Sequence, residues 1–290
     1  MWLADKWKDY ELIDSASGEK LERWGKVVLR RPDPLAVWTN KSSDMWQNAH
    51  AHYHRSNTGG GHWEYNKRLP EKWQISFEDM IFNIKPMNFK HTGLFPEQAA
   101  NWVWFSELIK NSGQNVRVLN LFAYTGGATV AALKSGAAVT HVDAAKGMVN
   151  WAKENVISSR LDKENIRYIV DDVLKFVLRE QRRGKKYDAV IMDPPSYGRG
   201  PSGEVWKIEN ELYSLVCECV KLMSDTPLFF LINSYTTGLS ACVLNNILTL
   251  TMKKKFSGIV SADEIAIPMS GKNGMPLPCG ISGRWQAKKF

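Results

Sequence analysis

This chain predicts a doubly wound α/β domain with a smaller β-rich part in front of it. Three observations carry that prediction. From about residue 96, strand-length apolar runs alternate with helix-length stretches, and the first of these strands runs into a double-glycine turn. Seven of the 12 tryptophans fall within residues 1–90, a shift in composition that marks a separate N-terminal module. The expected division is therefore 1–90 and 91–290.

Residues 10–13 and 26–30 are short strand candidates, cut off by Ser17-Gly18 and by Pro32-Asp33-Pro34. Residues 47–61 read as a polar loop that carries His50, His52 and His54 and ends in Gly59-Gly60-Gly61. Residues 74–84 alternate polar and apolar around Glu78-Asp79, as a hairpin does. Pro96 suits the first position of a helix, and an apolar stripe follows it to Ile109. Strands are then expected at 116–122, 137–142, 166–170, 187–192 and 227–233, with helices at 127–135, 145–159, 173–183, 209–224 and 239–251. Such alternation requires right-handed crossovers and a parallel sheet covered on both faces. Residues 256–267 and 280–286 supply two more strands, which makes seven. No repeat of fixed period appears.

Composition narrows the function class. The apolar fraction of 44% with 23% charged residues is that of a folded domain. No apolar run approaches the roughly 20 residues that cross a bilayer, and the N-terminus lacks the basic-then-apolar pattern of a secretion leader. Four cysteines do not make a disulfide scaffold. Membrane, secreted and fibrous classes are thus excluded, and a cytoplasmic location is expected. With 38 Lys plus Arg against 30 Asp plus Glu, the net charge of +8 permits an anionic partner without demanding one. Basic residues cluster at Lys175, Arg179, Arg182, Arg183, Lys185 and Lys186 and at Lys253 to Lys255, where a solvated helix end is the simpler reading.

The turn after the first strand of the larger part, Phe122-Ala123-Tyr124-Thr125-Gly126-Gly127, is small and glycine-bearing. Glycines let a backbone turn sharply beside a ligand, and open α/β sheets bind ligands at the carboxyl ends of their strands. The next strand ends in Asp143, placed to accept from both hydroxyls of a ribose. The dinucleotide pattern Gly-x-Gly-x-x-Gly is absent, as is a phosphate-binding P-loop. S-adenosylmethionine has a ribose and an adenine but no phosphate, and Asp171-Asp172-Val173 after the third strand can meet the adenine. The fourth strand ends in Asp193-Pro194-Pro195-Ser196-Tyr197. A rigid turn of this kind can present a carboxylate and a carbonyl to an amino group, while Tyr197 stacks on a planar base. Methyl transfer needs little more than such alignment.

Gly126-Gly127, Asp143, Asp172 and the Asp193 to Tyr197 turn, in that order, resemble class I S-adenosylmethionine-dependent methyltransferases. Upstream, His91-Thr92-Gly93-Leu94-Phe95-Pro96-Glu97-Gln98 is similar to the Lys-Thr-Gly-x-x-x-Asp-Gln segment of the bacterial large-subunit ribosomal RNA methyltransferases. Residues 120–127 are similar to the Asn-x-Phe-x-Tyr-Thr-Gly-Gly that follows it there. The resemblance covers about residues 80–285. It implies a Rossmann-like, seven-stranded methyltransferase sheet with helices on both faces, preceded by a small β-rich module. It also implies S-adenosylmethionine as cofactor and RNA, ribosomal above all, as partner. Phe122, Ala123, Tyr124, Thr125, Gly126 and Gly127 would wrap the methionine end of the cofactor. Asp143 with Ala144 would hold the ribose, Asp172 and Val173 would meet the adenine, and Phe95 and Gln98 would border the pocket. Asp193, Pro194 and Tyr197 would be catalytic, with Asp193 also reaching the cofactor.

One departure matters. Cytosine carbon-5 methyltransferases of this family carry a nucleophilic cysteine after strand five, in a Ser-Cys-Ser pattern, but here Tyr235 stands at the matching place. Cys242 lies further on, within the next predicted helix. A nitrogen acceptor is therefore favoured over cytosine carbon-5. A protein or small-molecule amine substrate, a non-catalytic RNA-binding protein and a nicotinamide oxidoreductase remain as alternatives, the last disfavoured by the missing third glycine. No metal is expected: the histidines at 50, 52, 54 and 62 lack a Cys or acidic ligand in an obvious pattern, and Cys217 and Cys219 diverge on a predicted helix. Trp102 and Trp104 read as packing residues. The atom methylated and the oligomeric state are not written in the sequence.

Overall fold

Successive side chains of a strand face opposite sides of its sheet, so an unbroken apolar strand must be covered on both. The computed structural model describes residues 1–56, 60–199 and 205–288. The strands are β1 (Trp2–Leu3), β2 (Tyr10–Ala16), β3 (Glu19–Trp24), β4 (Val27–Pro32), β5 (Ala51–Arg55), β6 (Gly61–Tyr65), β7 (Trp73–Phe77), β8 (Met80–Ile84), β9 (Arg117–Leu121), β10 (Ala138–Asp143), β11 (Ile166–Val170), β12 (Ala189–Met192), β13 (Tyr197–Arg199), β14 (Val205–Lys207), β15 (Phe229–Ser234), β16 (Gly258–Pro268) and β17 (Pro276–Ala287). The helices are α1 (Ala99–Lys110), α2 (Gly127–Lys134), α3 (Lys146–Ser158), α4 (Val173–Arg182), α5 (Ile208–Lys221) and α6 (Ala241–Leu248), the last running on into a wider turn, Thr249–Lys253. The chain divides into two units. One takes Met1, residues 101–264 and the stretch from Gly280 onward; the other takes residues 2–100 and 265–279.

In the first unit the sheet runs β16-β17-β15-β12-β9-β10-β11. Strands β9, β10, β11, β12 and β15 are mutually parallel, and β17 is antiparallel to β15. These are the seven strands expected, within a residue or two at most ends; an eighth that the sequence does not predict, β1, pairs parallel with Ile265 and Ala266 of β16. The chain builds β9, β10 and β11 outward in one direction, then returns to place β12 on the other side of β9. The point where strand order reverses is therefore the β9–β12 pair, where Leu121 lies beside Met192.

Phe229 and Phe230 show how both faces are filled. Phe229 stacks on Phe105 of α1, with ring centres 5.8 Å apart. Phe230 belongs to the opposite layer, with Phe176 and Val177 of α4, Leu212, Leu215 and Val216 of α5, and Leu244 and Leu248 of α6. Both phenylalanines are fully buried, and each contributes about 1.5–3 kcal/mol over an exposed ring. Helix α1 is fixed by polar contacts too: the Asn101 carbonyl accepts from Arg284 Nε at 2.9 Å and its amide donates to Asn233 at 3.0 Å. Trp102 is buried and Trp104 donates to Gln286, so both pack as expected.

The second unit contains a five-stranded sheet, β2-β3-β4-β5-β6, and a separate hairpin, β7–β8. The structure corrects the sequence reading here. Within the expected loop 47–61 it places β5 and the start of β6, paired antiparallel from Ala51–Tyr65 to Arg55–Gly61; residues 57–59 lie outside those described. The signal was a period-two pattern hidden by polarity: Ala51 and Tyr53 are buried while His52 and His54 face the other way. Strand β3 was also missed, because four of its six residues are charged.

Those charges are not all solvated. Glu22 is fully buried and accepts from Arg31 Nε at 2.6 Å, from Arg31 Nη2 at 2.7 Å and from the Tyr10 hydroxyl at 2.8 Å, with Lys20 Nζ at 3.6 Å. Burial would raise its pKa, but the charges of Arg31 and Lys20 and the hydrogen bonds from Arg31 and Tyr10 outweigh it and draw the carboxyl down to about 2. A folded pKa below the unfolded one stabilises the fold above the unfolded value of 4.5 and loses that stabilisation as pH falls toward 2. The window should contain a loss on the order of 3 kcal/mol, read as a falling urea midpoint between pH 5 and 2 that Glu22→Gln flattens. Arg31→Met, which strands the carboxylate, should cost about 3–5 kcal/mol at neutral pH.

Candidate active site

The turn between β9 and α2 is bent by three residues with left-handed backbone: Phe122 at φ 54°, Tyr124 at 50° and Gly126 at 81°. Two of these carry side chains and are strained by about 1–2 kcal/mol each, so something must hold them. Asp143, at the end of β10, does so. Its Oδ2 accepts from the Tyr124 amide at 2.8 Å and its Oδ1 from the Ala145 amide at 2.8 Å, which ties the turn to the start of α3. The Ala123 amide donates to the Val142 carbonyl at 3.0 Å, and Asn155 of α3 donates to the Thr125 carbonyl at 2.8 Å. Gly126 is required for space as well as for φ: an added Cβ would stand 2.9 Å from the Ala152 Cβ.

Below the turn, a buried polar relay joins β9, α2 and β10. Asn120 Nδ2 donates to the Thr129 hydroxyl at 2.9 Å, which in turn lies 2.9 Å from His141 Nδ1. Burial pushes the His141 pKa down to about 3 and keeps the ring neutral. Its Nε2 finds no hydrogen-bond partner among the described residues.

Asp171 and Asp172 follow β11. The Asp171 amide donates to the Asp143 carbonyl at 3.2 Å, joining two strand ends, while its carboxylate pairs with Arg179. Asp172 caps α4, with Oδ1 accepting from the Lys175 amide at 2.9 Å, and Val173, the first residue of the helix, is buried. Ala144 is exposed beside Asp143. The Asp193 turn leaves β12 next to β9, so Phe122 and Asp193 each follow one member of the paired residues Leu121 and Met192. Asp193 is partly buried, Pro194 buried and the Tyr197 ring half exposed. Ser196 Oγ lies 2.6 Å from the Thr236 hydroxyl beyond β15. Tyr235, where the family's cysteine would stand, packs on Gly280 of β17, whose added Cβ would come within 2.9 Å of its ring.

Trp206 was not singled out from the sequence. It lies on β14, which pairs with β13 directly after the Asp193 turn. Its Nε1 donates to the Pro195 carbonyl at 2.6 Å and its ring centre is 5.7 Å from that of Phe122, so one side chain braces both turns. Asn120, His141 and Asn155 were likewise passed over. The sequence signal available was slight: a polar residue inside an otherwise apolar strand or helix face.

Phe95 and Gln98 belong to the other unit. There Phe95 precedes the short helical turn Pro96–Gln98, its carbonyl accepts from the Gln98 amide at 3.1 Å, and its ring lies 5.5 Å from that of His91. In the basic cluster near α4, Arg179 pairs with Asp171, Arg183 with Glu180, and Lys186 donates to the Lys221 carbonyl. No helix among the described residues is long and apolar enough to cross a membrane.

A parallel sheet with a strained glycine turn after its first strand and acids after its next three has the layout of the open α/β folds that hold a nucleoside-bearing cofactor at their strand ends. The particular family follows from comparison with known proteins. A family profile for S-adenosylmethionine-dependent methyltransferases matches residues 35–217, and the chain belongs to that family. The crystal structure of a methyltransferase of this kind from Agrobacterium tumefaciens is 34% identical, with a TM-score of 0.92 over 99% of this chain and 96% of that one. Among curated proteins, ribosomal RNA large subunit methyltransferase K/L of Syntrophotalea carbinolica is 30% identical over 151 residues, which is 52% of this chain and 20% of that protein. Ribosomal RNA large subunit methyltransferase I of Salmonella arizonae is 41% identical over 85 residues, 29% of this chain and 21% of that protein. The chain thus spans about a fifth of the length of the curated relatives it matches.

The geometry of Gly126 makes a direct prediction. Gly126→Ala should lower stability by about 1–2 kcal/mol from backbone strain alone, plus the overlap with Ala152. Adding Ala152→Gly should restore only the second part, after subtracting the loss of about 1 kcal/mol that the single Ala152→Gly variant shows for glycine inside a helix. Thermal melts of the two variants separate the contributions.

Proposed function

We propose that this enzyme transfers the methyl group of S-adenosylmethionine to a nitrogen of an RNA base, with ribosomal RNA as the substrate. The observation that carries the reading is the Asp193-Pro194-Pro195-Ser196-Tyr197 turn, braced by Trp206 and Thr236 beside the Phe122 to Gly127 turn. The donor set suits the cofactor: acids follow three strands, no Lys or Arg stands in the glycine turn, and S-adenosylmethionine carries no phosphate. In this reading Phe122 to Gly127 enclose its methionine end, and Asp143, whose oxygens each accept one amide, uses their remaining lone pairs for the ribose hydroxyls. Ala144 lines that edge, and Asp172 with Val173 takes the adenine. The sulfonium supplies an electrophilic methyl group, so no metal or redox step is required.

Asp193 and a carbonyl of its turn accept hydrogen bonds from an amino group and leave its lone pair directed at the methyl. Pro194 fixes the turn, and Tyr197 offers a ring on which a base can stack. Thiol chemistry is disfavoured. Tyr235 replaces the expected cysteine, Cys217 and Cys219 lie on α5, Cys242 lies on α6, and burial holds the Cys219 and Cys279 thiols well above their usual range. The names of the ribosomal relatives support RNA. This reading treats residues 1–90 as a module apart from a catalytic part of 91–290, and goes with a cytoplasmic place of action.

Asp143→Ala should weaken S-adenosylmethionine by about 1.5–3 kcal/mol per charged hydrogen bond lost, measured by calorimetry. Asp193→Asn should lower turnover by about 10²-fold while cofactor affinity changes far less. Tyr197→Ala should raise the Michaelis constant for RNA, from a stacking loss of about 1–3 kcal/mol, and Tyr197→Phe should be nearly silent. Mass spectrometry of nucleosides from the ribosomal RNA of a deletion strain should show one N-methylated base missing. Loss of a carbon-5 methylcytosine, a covalent RNA adduct on cysteine, or transfer only to a protein or small amine would each overturn the proposal.

A further inference from the structure

The β5–β6 hairpin gathers side chains that the methyl-transfer reading leaves unused. Residues of one parity, Tyr53 and Trp63, pair on one face with ring centres 5.4 Å apart. Residues of the other parity put His52 opposite Glu64 and His54 opposite His62. The rings of His52 and His54 are 3.9 Å apart, and that of His62 stacks on His54 at 5.3 Å. His54 Nε2 lies 2.7 Å from Glu64 Oε2. One ligand atom from each of His52, His54 and Glu64 falls within 4.8 Å of the others.

We propose that His52, His54 and Glu64 form a site for a divalent cation of the zinc type, which clips β5 to β6. Two imidazoles and a carboxylate are a common donor set for zinc, and they leave a fourth tetrahedral position for water. Bonds of about 2.0–2.1 Å place donor atoms roughly 3.3 Å apart in a tetrahedron, so these three need close only by side-chain rotation, with the strand backbones already in register. The acidic ligand escaped the sequence because it comes from across the hairpin, not from the histidine run.

A second feature points the same way. A metal-binding histidine usually gives its other ring nitrogen to a carboxylate that fixes its orientation. His52 Nε2 lies 2.6 Å from Glu19 Oε1, and the other oxygen of Glu19 accepts from Arg30 Nε at 2.8 Å. Glu19 thus stands in the orienting position behind one ring nitrogen of His52, and the other is the one the proposal assigns to the metal. A divalent ion would hold the two rings and the carboxylate together through shared coordination.

Native mass spectrometry and calorimetry of the full, tag-free chain with Zn²⁺ test the site. One equivalent should bind, and Co²⁺ in its place should give the visible bands of a tetrahedral N,O site with no thiolate charge-transfer band. His52→Ala, His54→Ala and Glu64→Gln should each weaken binding by roughly tenfold or more, and Glu19→Gln by roughly 10–100-fold. A metal-free urea midpoint and far-ultraviolet circular dichroism spectrum like those of the wild type would show that the variants are folded. Failure of the wild type to bind Zn²⁺, binding that survives all three ligand substitutions, or a thiolate band that places the ion on cysteine would overturn the proposal.

Discussion

The carboxylate of Asp143 is the constraint on which the ends of the parallel strands depend. A turn holding Phe122, Tyr124 and Gly126 at positive φ is not one a free chain would keep. Both oxygens of Asp143 are spent on backbone amides, Tyr124 on one side and Ala145 on the other. The Asp143 carbonyl also receives the Asp171 amide. One residue therefore sets the path of the first turn, the start of α3 and the spacing to the third strand end. An acid here has a structural task before it has any ligand to meet. The family's pattern of an acid after strand two fits both tasks, because each carboxylate oxygen has two lone pairs.

The two units reach stability by different physical routes. In the sheet of the first, apolar side chains of alternating parity fill layers on each face, as with Phe229 and Phe230. Polar groups enter it in small sets, such as Asn101 with Asn233, Ser282 and Arg284, or Glu180 with Arg167, Arg183 and Tyr187. The second unit keeps more of its charge on buried strand residues, Asp14, Glu22 and Arg31 among them. Glu22 is tolerable there because Arg31 meets it with two hydrogen bonds and Tyr10 with a third. Asp14 is likewise buried, and it accepts from Lys272 Nζ at 2.6 Å and from Trp46 Nε1 at 2.8 Å. Buried pairs of this kind add little net stability but punish any substitution that removes one partner.

That difference explains what could be read from the sequence. The helix and strand periods of residues 96–286 are written in apolar residues, and β11 was placed to the residue. Strand β3 and the β5–β6 hairpin are written in charged and histidine residues, whose burial or pairing depends on partners far along the chain. Glu22 looks like a surface residue until Arg31 is placed beside it. The glycine turn and the strand-end acids were legible as a pattern because they recur at fixed places in a βα repeat. Trp206 was not, because its meaning lies in two contacts, Pro195 and Phe122, that only the folded hairpin brings together.

The bracing of the second turn follows from the same reasoning about strain. Methyl transfer by displacement is accelerated mainly by alignment, and a misplacement of about 1 Å can cost on the order of 10²-fold in rate. A turn at the end of a strand is a poor place for such precision unless it is tied down. Prolines 194 and 195 remove backbone freedom from within. Trp206 Nε1 holds the Pro195 carbonyl, Ser196 Oγ meets Thr236, and the Ser196 carbonyl accepts from the Ile208 amide at 3.2 Å. Each tie comes from a different element: β14, the segment after β15, and α5. Because the ties converge on residues between Asp193 and Tyr197, they fix both ends of the proposed substrate platform. Ordering that a loop would otherwise undergo on binding is completed during folding, so binding free energy from the substrate remains for alignment.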